Sequence, residues 1–221
     1  MILILLGAPG CGKGTISKLF QERLNFCHIS TGEIIRKTIA LNNEFGEMLR
    51  QIITKGELVS DEIVLKLLCE KLNECGSDII LDGFPRTLFQ AKKLDEIAKI
   101  DKVIYIDTPY DVIKERLAGR RICQNCGKVY NVNLHSMNSC DCGGKLIQRE
   151  DDLPHVIEER FKIYEEETFP LIEFYSNQDK LIKVKSSSSS NDTFNEILSF
   201  LEIKWWLLQK KKWIAWEFQA R

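Results

Sequence analysis

The sequence has 221 residues, and its 31 lysines and arginines nearly balance its 32 aspartates and glutamates, for a formal net charge of -1. With 44% hydrophobic and 29% charged residues, it has the material for a real core, as one α/β domain with insertions or as two small domains. The balanced charge excludes a global electrostatic attraction to nucleic acid or to an anionic membrane, and neither is expected as a partner.

The chain opens MILILLG. Only six residues precede Gly7, with no basic leader, which is too short for a signal sequence or a membrane span. Ile2–Leu6 reads as a buried parallel strand. A cytoplasmic protein is expected on that basis, its eight cysteines being reduced thiols or metal ligands and not disulfides. Next come a helical pattern over Lys13–Leu24 and a strand-like run, Phe26–Ile29. Residues 31–59 hold two helical patterns with no strong strand between them. Helix Asp61–Leu72, strand Asp78–Leu81, helix Thr87–Ile97, strand Lys102–Asp107 and helix Asp111–Leu117 follow. Residues 120–152 are polar, carry four cysteines and paired glycines, and lack helical periodicity. A helical pattern over Pro154–Tyr175 leads to a last strand, Lys180–Lys185. Ser186–Ser190 is low-complexity and is expected to be a mobile loop. All four tryptophans, Trp205, Trp206, Trp213 and Trp216, lie in the tail around Lys210–Lys212. That tail is expected to be a terminal helical extension, in preference to a membrane-surface helix. Strands alternating with helices imply βαβ units and a parallel sheet covered on both faces, with 31–59 and 120–152 as excursions.

GAPGCGKGT, Gly7–Thr15, follows a predicted strand and opens a predicted helix, the setting in which G-x-x-x-x-G-K-[ST] binds phosphate. Gly7, Gly12 and Lys13 fit the pattern. Gly14 stands where a hydroxyl should face Mg²⁺, and the hydroxyl comes one residue later, at Thr15. The glycines let the backbone aim N–H groups inward, the helix adds the positive end of its dipole, and Lys13 reaches phosphate oxygens. A glycine at 14 makes room. Mg²⁺ would then lean on phosphate oxygens, water and a carboxylate elsewhere, for which Asp82 at the end of DIILD is the candidate.

LDGFPRT, Leu81–Thr87, continues from that strand. Gly83 and Pro85 shape a turn at the carboxyl end of the sheet, where α/β ligands bind, and Arg86 offers a fork suited to bidentate phosphate contacts. Arg36, Arg116, Arg120, Arg121, Arg149 and Arg160 fall near the other motifs and suggest a site for a second anion. No histidine occupies a phosphate motif; His28, His135 and His155 read as structural or surface residues.

GAPGCGKGT, STGEIIR (Ser30–Arg36), LDGFPRT, LAGRRIC (Leu117–Cys123) and QREDD (Gln148–Asp152) together resemble the adenylate kinases in order and spacing, from Met1 to about Ile203. Glycine at the position of Gly14 is a trait of that family. The resemblance implies an α/β fold built on a phosphate-loop (P-loop) parallel five-stranded sheet flanked by helices. It implies a kinase core over 1–203, interrupted by a helical NMP-binding insert at 30–59 and a small zinc-ribbon-like lid at 120–152, and followed by the tail at 204–221. The implied reaction is ATP + AMP ⇌ 2 ADP, Mg²⁺-dependent, in a monomer whose partners are ATP, AMP and ADP and whose task is purine nucleotide homeostasis. Gly10, Cys11, Gly12, Lys13, Gly14 and Thr15 would wrap the ATP phosphates. Arg120, Val129 and Tyr130 would meet ATP from the lid, Lys183 from the last strand, and Arg116 beside the ATP adenine. Thr31, Arg36, Glu57, Leu58, Val59, Gly83, Phe84, Pro85, Arg86 and Gln90 would hold AMP, Thr31 and Gln90 offering polar groups to its base. Arg149 and Arg160 would clamp the phosphates between the two nucleotides. Lys13, Asp82, Arg86, Arg120, Arg149 and Arg160 would thus carry the transfer. Kinases for UMP or CMP usually have short lids, so the 120–152 insert argues against them. A zinc-ribbon nucleic-acid-binding ATPase would need a basic face and a water-activating residue.

Cys123-Gln-Asn-Cys126 followed by Gly127 has the form of a zinc knuckle, and Cys140-Asp-Cys142 follows it. Four thiolates suggest a structural, tetrahedral Zn²⁺ that staples a lid too small to build its own core. The second pair in the family is usually C-x₂-C or C-x₂-D, and here it is one residue short. Asp141 or His135 could therefore replace one of the four. Cys11, Cys27, Cys69 and Cys75 are dispersed and read as small core or surface residues.

Overall fold

Leu3, Ile4, Leu5 and Leu6 are all buried, so both faces of this strand must be covered. The computed structural model describes residues 1–133 and 139–202. In it, β1 (Ile2–Leu6) pairs in parallel with β3 (Ile79–Asp82) on one side and with β4 (Lys102–Asp107) on the other. β2 (Cys27–Ser30) and β8 (Leu181–Lys185) complete an all-parallel five-stranded sheet in the order β2-β3-β1-β4-β8. Successive residues of β1 enter different cores, as the two-residue period requires. Leu3 and Leu5 join Phe20 of α1 (Lys13–Leu24) and Phe194 and Ile197 of α9 (Ser190–Phe200). Ile4 and Leu6 join Leu68 of α4 (Asp61–Glu74), Leu94 of α5 (Leu88–Ile97) and Leu171 and Tyr175 of α8 (Pro170–Ser176).

The first excursion is α2 (Thr31–Ile39) and α3 (Glu44–Thr54), anchored to the second of these cores by Ile35, Ile39 and Leu49. Each helix is capped by a short polar side chain: the Ser30 hydroxyl accepts from the Glu33 amide, and Asn43 accepts from the Gly46 amide. The second excursion leaves α6 (Tyr110–Gly119) and is a three-stranded antiparallel sheet of β5 (Arg120–Cys123), β6 (Val129–Asn131) and β7 (Leu146–Ile147), in the order β6-β5-β7. A 3-10 turn, Glu150–Asp152, returns the chain to α7 (Pro154–Ile163). His135 and the tryptophan tail from 204 to 221 lie outside the described residues. No helix among the described residues is long and apolar enough to cross a membrane.

Three expectations are corrected. The helical run expected over Pro154–Tyr175 is interrupted by a π-helical turn, Tyr164–Thr168, closed by the Phe169 amide donating to the Tyr164 carbonyl at 2.8 Å. Pro170 has no N–H to continue the α-helical ladder and its ring crowds the preceding turn, which widens to admit it. The serine run is not free of the fold: Ser190 opens α9, and the residues before it are tied down. The Ser186 amide donates to Asp107 O (2.8 Å), the Ser187 amide donates to Thr193 Oγ1 (3.0 Å), and Ser189 Oγ caps α9 by accepting from the Asp192 amide (3.4 Å). Cys27 and Cys75 are not free thiols but are joined as a disulfide, with Cα atoms 5.8 Å apart. They are 48 residues apart in sequence, but β2 pairs with β3 and Cys75 ends α4 just before β3, so the topology brings them together.

Candidate active site

The phosphate loop runs from the end of β1 into α1. Gly12 caps α1 at φ 111°, in the left-handed region that a side chain would strain. Lys13 Nζ donates to the carbonyls of Gly7 (2.6 Å) and Ala8 (2.9 Å), which holds the ammonium inside the loop's curve. A Cβ at Gly14 would lie 3.5 Å from Asp82 Oδ2, so a side chain there would fill the space before that carboxylate. Asp82 ends β3 beside the loop. Burial works against its charged form, but His28, Lys13 and Arg86 outweigh burial and hold the carboxyl below the usual range. Arg116 fastens the far side of the loop, donating to Cys11 O (3.2 Å), Ser186 Oγ (2.9 Å) and Ser187 O (3.1 Å). The serine run thus borders the phosphate loop, which its composition did not signal. Lys183 Nζ is engaged by Asp107 Oδ2 at 3.0 Å on the sheet edge.

Five of the predicted arginines converge beside this loop. Arg36 from α2, Arg86 after β3, Arg120 at the start of β5, Arg149 before the 3-10 turn and Arg160 in α7 all act on one another or on Asp151 electrostatically. Their counter-charges are Asp151 and Asp152, which sequence reasoning left unassigned. Arg120 makes a bidentate pair with Asp152, its Nε donating to Oδ2 at 2.7 Å. Arg160 Nη1 donates to Asp151 O (2.6 Å) and pairs with Asp151 Oδ2 (3.1 Å) and Asp152 Oδ1 (3.2 Å). The guanidiniums still outnumber the carboxylates. Burial, with Arg36 and Arg120 nearby, pushes Arg149 down to about 9, and burial with Arg160 nearby pushes Arg86 down to about 10. Arg149 Nε is buried with no hydrogen-bond partner. A buried surplus of positive charge is what a polyanion would neutralise. Arg121 does not join the cluster; its Nη1 folds back onto the carbonyls of Ala118 and Arg120.

A cleft of about 60 Å³ opens at this cluster, lined among others by Arg36, Glu57, Val59, Arg86, Asp151 and Arg160. Thr31 and Gln90 are buried nearby. Thr31 Oγ1 donates to Gly83 O (2.8 Å), while Gln90 Oε1 accepts the Arg86 amide and Nε2 donates to Asp61 Oδ1, both at 2.7 Å. Phe84 is buried and joined to Pro85 by a cis peptide bond. Thr168 of the π-turn donates to Arg86 O at 2.9 Å and ties that turn to the cluster. The two excursions meet here, Arg50 of α3 pairing with Glu150 at 3.3 Å. A larger cavity of about 220 Å³ lies against Ala8, between Tyr105, Phe161 and Tyr164. No arginine or lysine lines it, so it is unsuited to phosphate.

In the second excursion the four sulfurs of Cys123, Cys126, Cys140 and Cys142 lie within 4.8 Å of one another. Three of the spacings are 3.4–3.5 Å, near the ~3.8 Å edge of a tetrahedron with ~2.3 Å zinc–sulfur bonds. A Cβ at Gly144 would stand 2.5 Å from Cys123 Sγ, so the cage closes only over a glycine. The shortened C-x-C pair places both sulfurs in the cage. Asp141 turns away, to Lys128 and Tyr130, and does not replace a cysteine. Tyr130 is buried against Cys140, whose thiol is held down to about 6, first by the Tyr130 hydroxyl and then by the Cys142 amide. Val129, its neighbour, is exposed.

Known proteins show the same arrangement of sequence. The family model described as adenylate kinase matches residues 5–180. An adenylate kinase of Petrotoga mobilis is 43% identical over 210 residues, covering 91% of this chain and 97% of its own. One of Thermosipho africanus is 40% identical over 212 residues, covering 91% and 99%, and one of Clostridium tetani is 41% identical over 212 residues, covering 91% and 98%. A phosphate loop, an arginine cluster beside it, and relatives that align with almost the whole of their own length lead to one conclusion: the chain belongs to the adenylate kinase family.

Proposed function

We infer that the protein transfers the terminal phosphoryl group of ATP to AMP, giving two ADP, and that it is a nucleoside monophosphate kinase acting in purine nucleotide balance. The observation that carries this reading is the surplus of buried guanidinium charge around Asp151 and Asp152, coupled through Asp82 to Lys13 of the phosphate loop. One side of the cluster would take the ATP phosphates and the other the AMP phosphate.

The acceptor needs no base. A phosphate monoester has its second pKa near ~6 and is mostly dianionic at pH 7. The barrier to overcome is repulsion between two highly charged nucleotides, so catalysis is positioning plus electrostatics. Lys13 and the amides of Gly10–Thr15 would cradle the donor phosphates, with Arg116 beside its base. Arg86 and Arg36 would hold the AMP phosphate, and Arg120, Arg149 and Arg160 would neutralise charge on the group in transit. Glu57–Val59, Gly83, Phe84 and Pro85 would flank AMP, and Thr31 and Gln90 would orient its base. Magnesium bound with ATP would rest on phosphate oxygens and Asp82, supplying further neutralisation. Val129 would meet ATP from the lid, and Lys183 would act from the sheet edge.

Water must be excluded, or ATP would be hydrolysed. We assign 30–59 to closing over AMP and 120–152 to closing over ATP, around a core of 1–203. Zinc in the four-cysteine cage would staple the lid. The enzyme would work as a cytoplasmic monomer, in a compartment where disulfides are rare.

The test is ADP formation from ATP and Mg²⁺ with AMP, UMP, CMP and GMP offered separately. Fast turnover with AMP alone is expected. Turnover with a pyrimidine nucleotide would overturn the acceptor, and ADP release without any acceptor would overturn the transferase reading.

A further inference from the structure

The two cysteine turns of the lid are not equivalent. In the first, the Cys123 sulfur accepts from the Cys126 amide, three residues on, at 3.5 Å. In the second, the chain is one residue shorter, and the amide three residues on, that of Gly143, donates to the Cys140 carbonyl (2.8 Å) and not to its sulfur. A cage of four thiolates around a divalent cation keeps a net negative charge. Hydrogen bonds to its sulfurs offset that charge and orient them, so a missing donor weakens the site. The Tyr130 hydroxyl lies 3.1 Å from Cys140 Sγ, inside the protein, where that backbone donor is wanting.

A phenol has one proton, and two acceptors compete for it here. Asp141 Oδ2 lies 3.3 Å from the same oxygen. Asp141, however, is already paired with the Lys128 ammonium, which also sits over the Tyr130 ring, 5.2 Å from its centroid. The Asp141 amide approaches the phenol oxygen at 3.4 Å, as a donor to its lone pairs. With the carboxylate satisfied by Lys128 and the phenol lone pair facing an N–H, the phenol proton is left for sulfur.

We propose that Tyr130 belongs to the metal site of the lid: its hydroxyl donates to the Cys140 sulfur in place of the backbone donor that the shortened turn lacks, and the Lys128–Asp141 pair directs the proton there. Tyr130 is a positioning residue acting through Cys140. The proposal rests on the reading that the four-cysteine cage holds zinc.

The test uses the full chain. Zinc content and affinity are measured by competition with a chromophoric chelator, and the sulfur-to-metal charge-transfer band is recorded with Co²⁺ in place of zinc. Tyr130→Phe should weaken zinc binding by about ten-fold or more. It should also move the Co²⁺ band to longer wavelength, because a thiolate without its hydrogen bond gives up electron density more readily. Lys128→Gln, a change at an exposed side chain, should shift both in the same direction by less and serves if Tyr130→Phe fails to fold. Wild-type affinity and an unmoved band in both variants would overturn the role of Tyr130 while leaving the zinc site standing. A wild-type chain that takes up no stoichiometric zinc would overturn the site and the role of Tyr130 together.

Discussion

Arg149 has a buried guanidinium among other guanidiniums and an Nε with no partner, so its charge opposes folding. A base whose pKa is lower folded than unfolded destabilises the fold wherever it stays charged, which includes neutral pH. Arg149→Met should therefore raise the melting temperature of the nucleotide-free protein by a few degrees, since about 1 kcal/mol moves Tm by ~2–4 °C at this size. The same change should lower kcat by about 10²–10³, the scale of losing one preorganised charge at a transferring group. Calorimetry and steady-state kinetics on one preparation read both. Asp151 has the opposite sign. Burial disfavours its charge, but Arg160, Arg120, Arg36 and Arg149 hold its carboxyl below the usual range. Its contribution is then present above the unfolded aspartate pKa of about 3.9 and is lost as pH falls through the lower folded value. Asp151→Asn should melt earlier at pH 7, and the gap to wild type should close in melts taken below about pH 4. The arginines of this cluster were legible in the sequence because motifs flank them. Their counter-ions were not, since the spacing of arginines along a chain does not say which carboxylate folds in among them. Arg121 falls in the same run of arginines as Arg120; only the resemblance separated the two, and in strand β5 it is Arg120 that meets Asp152 while Arg121 folds back onto carbonyls.

The lid is an element without the means to hold itself together. Among the described residues its own core is Cys123, Tyr130 and Cys140 with Leu146 packed against them, and its three strands are two to four residues long. Cross-linking by the proposed zinc would then be the main term in its order. Cys123→Ser, or dialysis against a strong chelator, should lower the lid's melting temperature and increase proteolysis within 120–152 while β1–β4 keep their protection from hydrogen exchange. Unchanged melting together with unchanged metal content would remove the zinc staple from the account. Elements differed in how plainly they could be read. The exact bounds of β1, α1 and β4 follow from apolar runs and a glycine-rich start. α9 hides behind the serine run, although Phe194, Ile197 and Leu198 have the three- and four-residue spacing of a buried helix face. The π-turn was not legible, because a one-residue register change before Pro170 leaves the apolar period nearly intact.

At the scale of the whole molecule, the alternation of strands and helices was enough to give a parallel sheet covered on both faces, but not the strand order, which comes from the structure. The Cys27–Cys75 bond lay beyond that reading because it depends on which strands become neighbours, and cysteines 48 residues apart carry no such mark. Closing a loop of that length is worth about 4 kcal/mol by the chain-entropy account. Thermal melts with and without a reductant should therefore separate by several degrees, and Cys75→Ser should match the reduced wild type. Coincident melts would show that the bond adds nothing to stability.

That bond also makes a ring of the chain. Residues 28–74, which include the whole of α2, α3 and α4, lie inside a covalent circle closed by sulfur. A peptide bond cut anywhere within the circle leaves both fragments joined. After limited proteolysis in 30–59, a gel without reductant should show one band of full mass, and the same sample with reductant should show two.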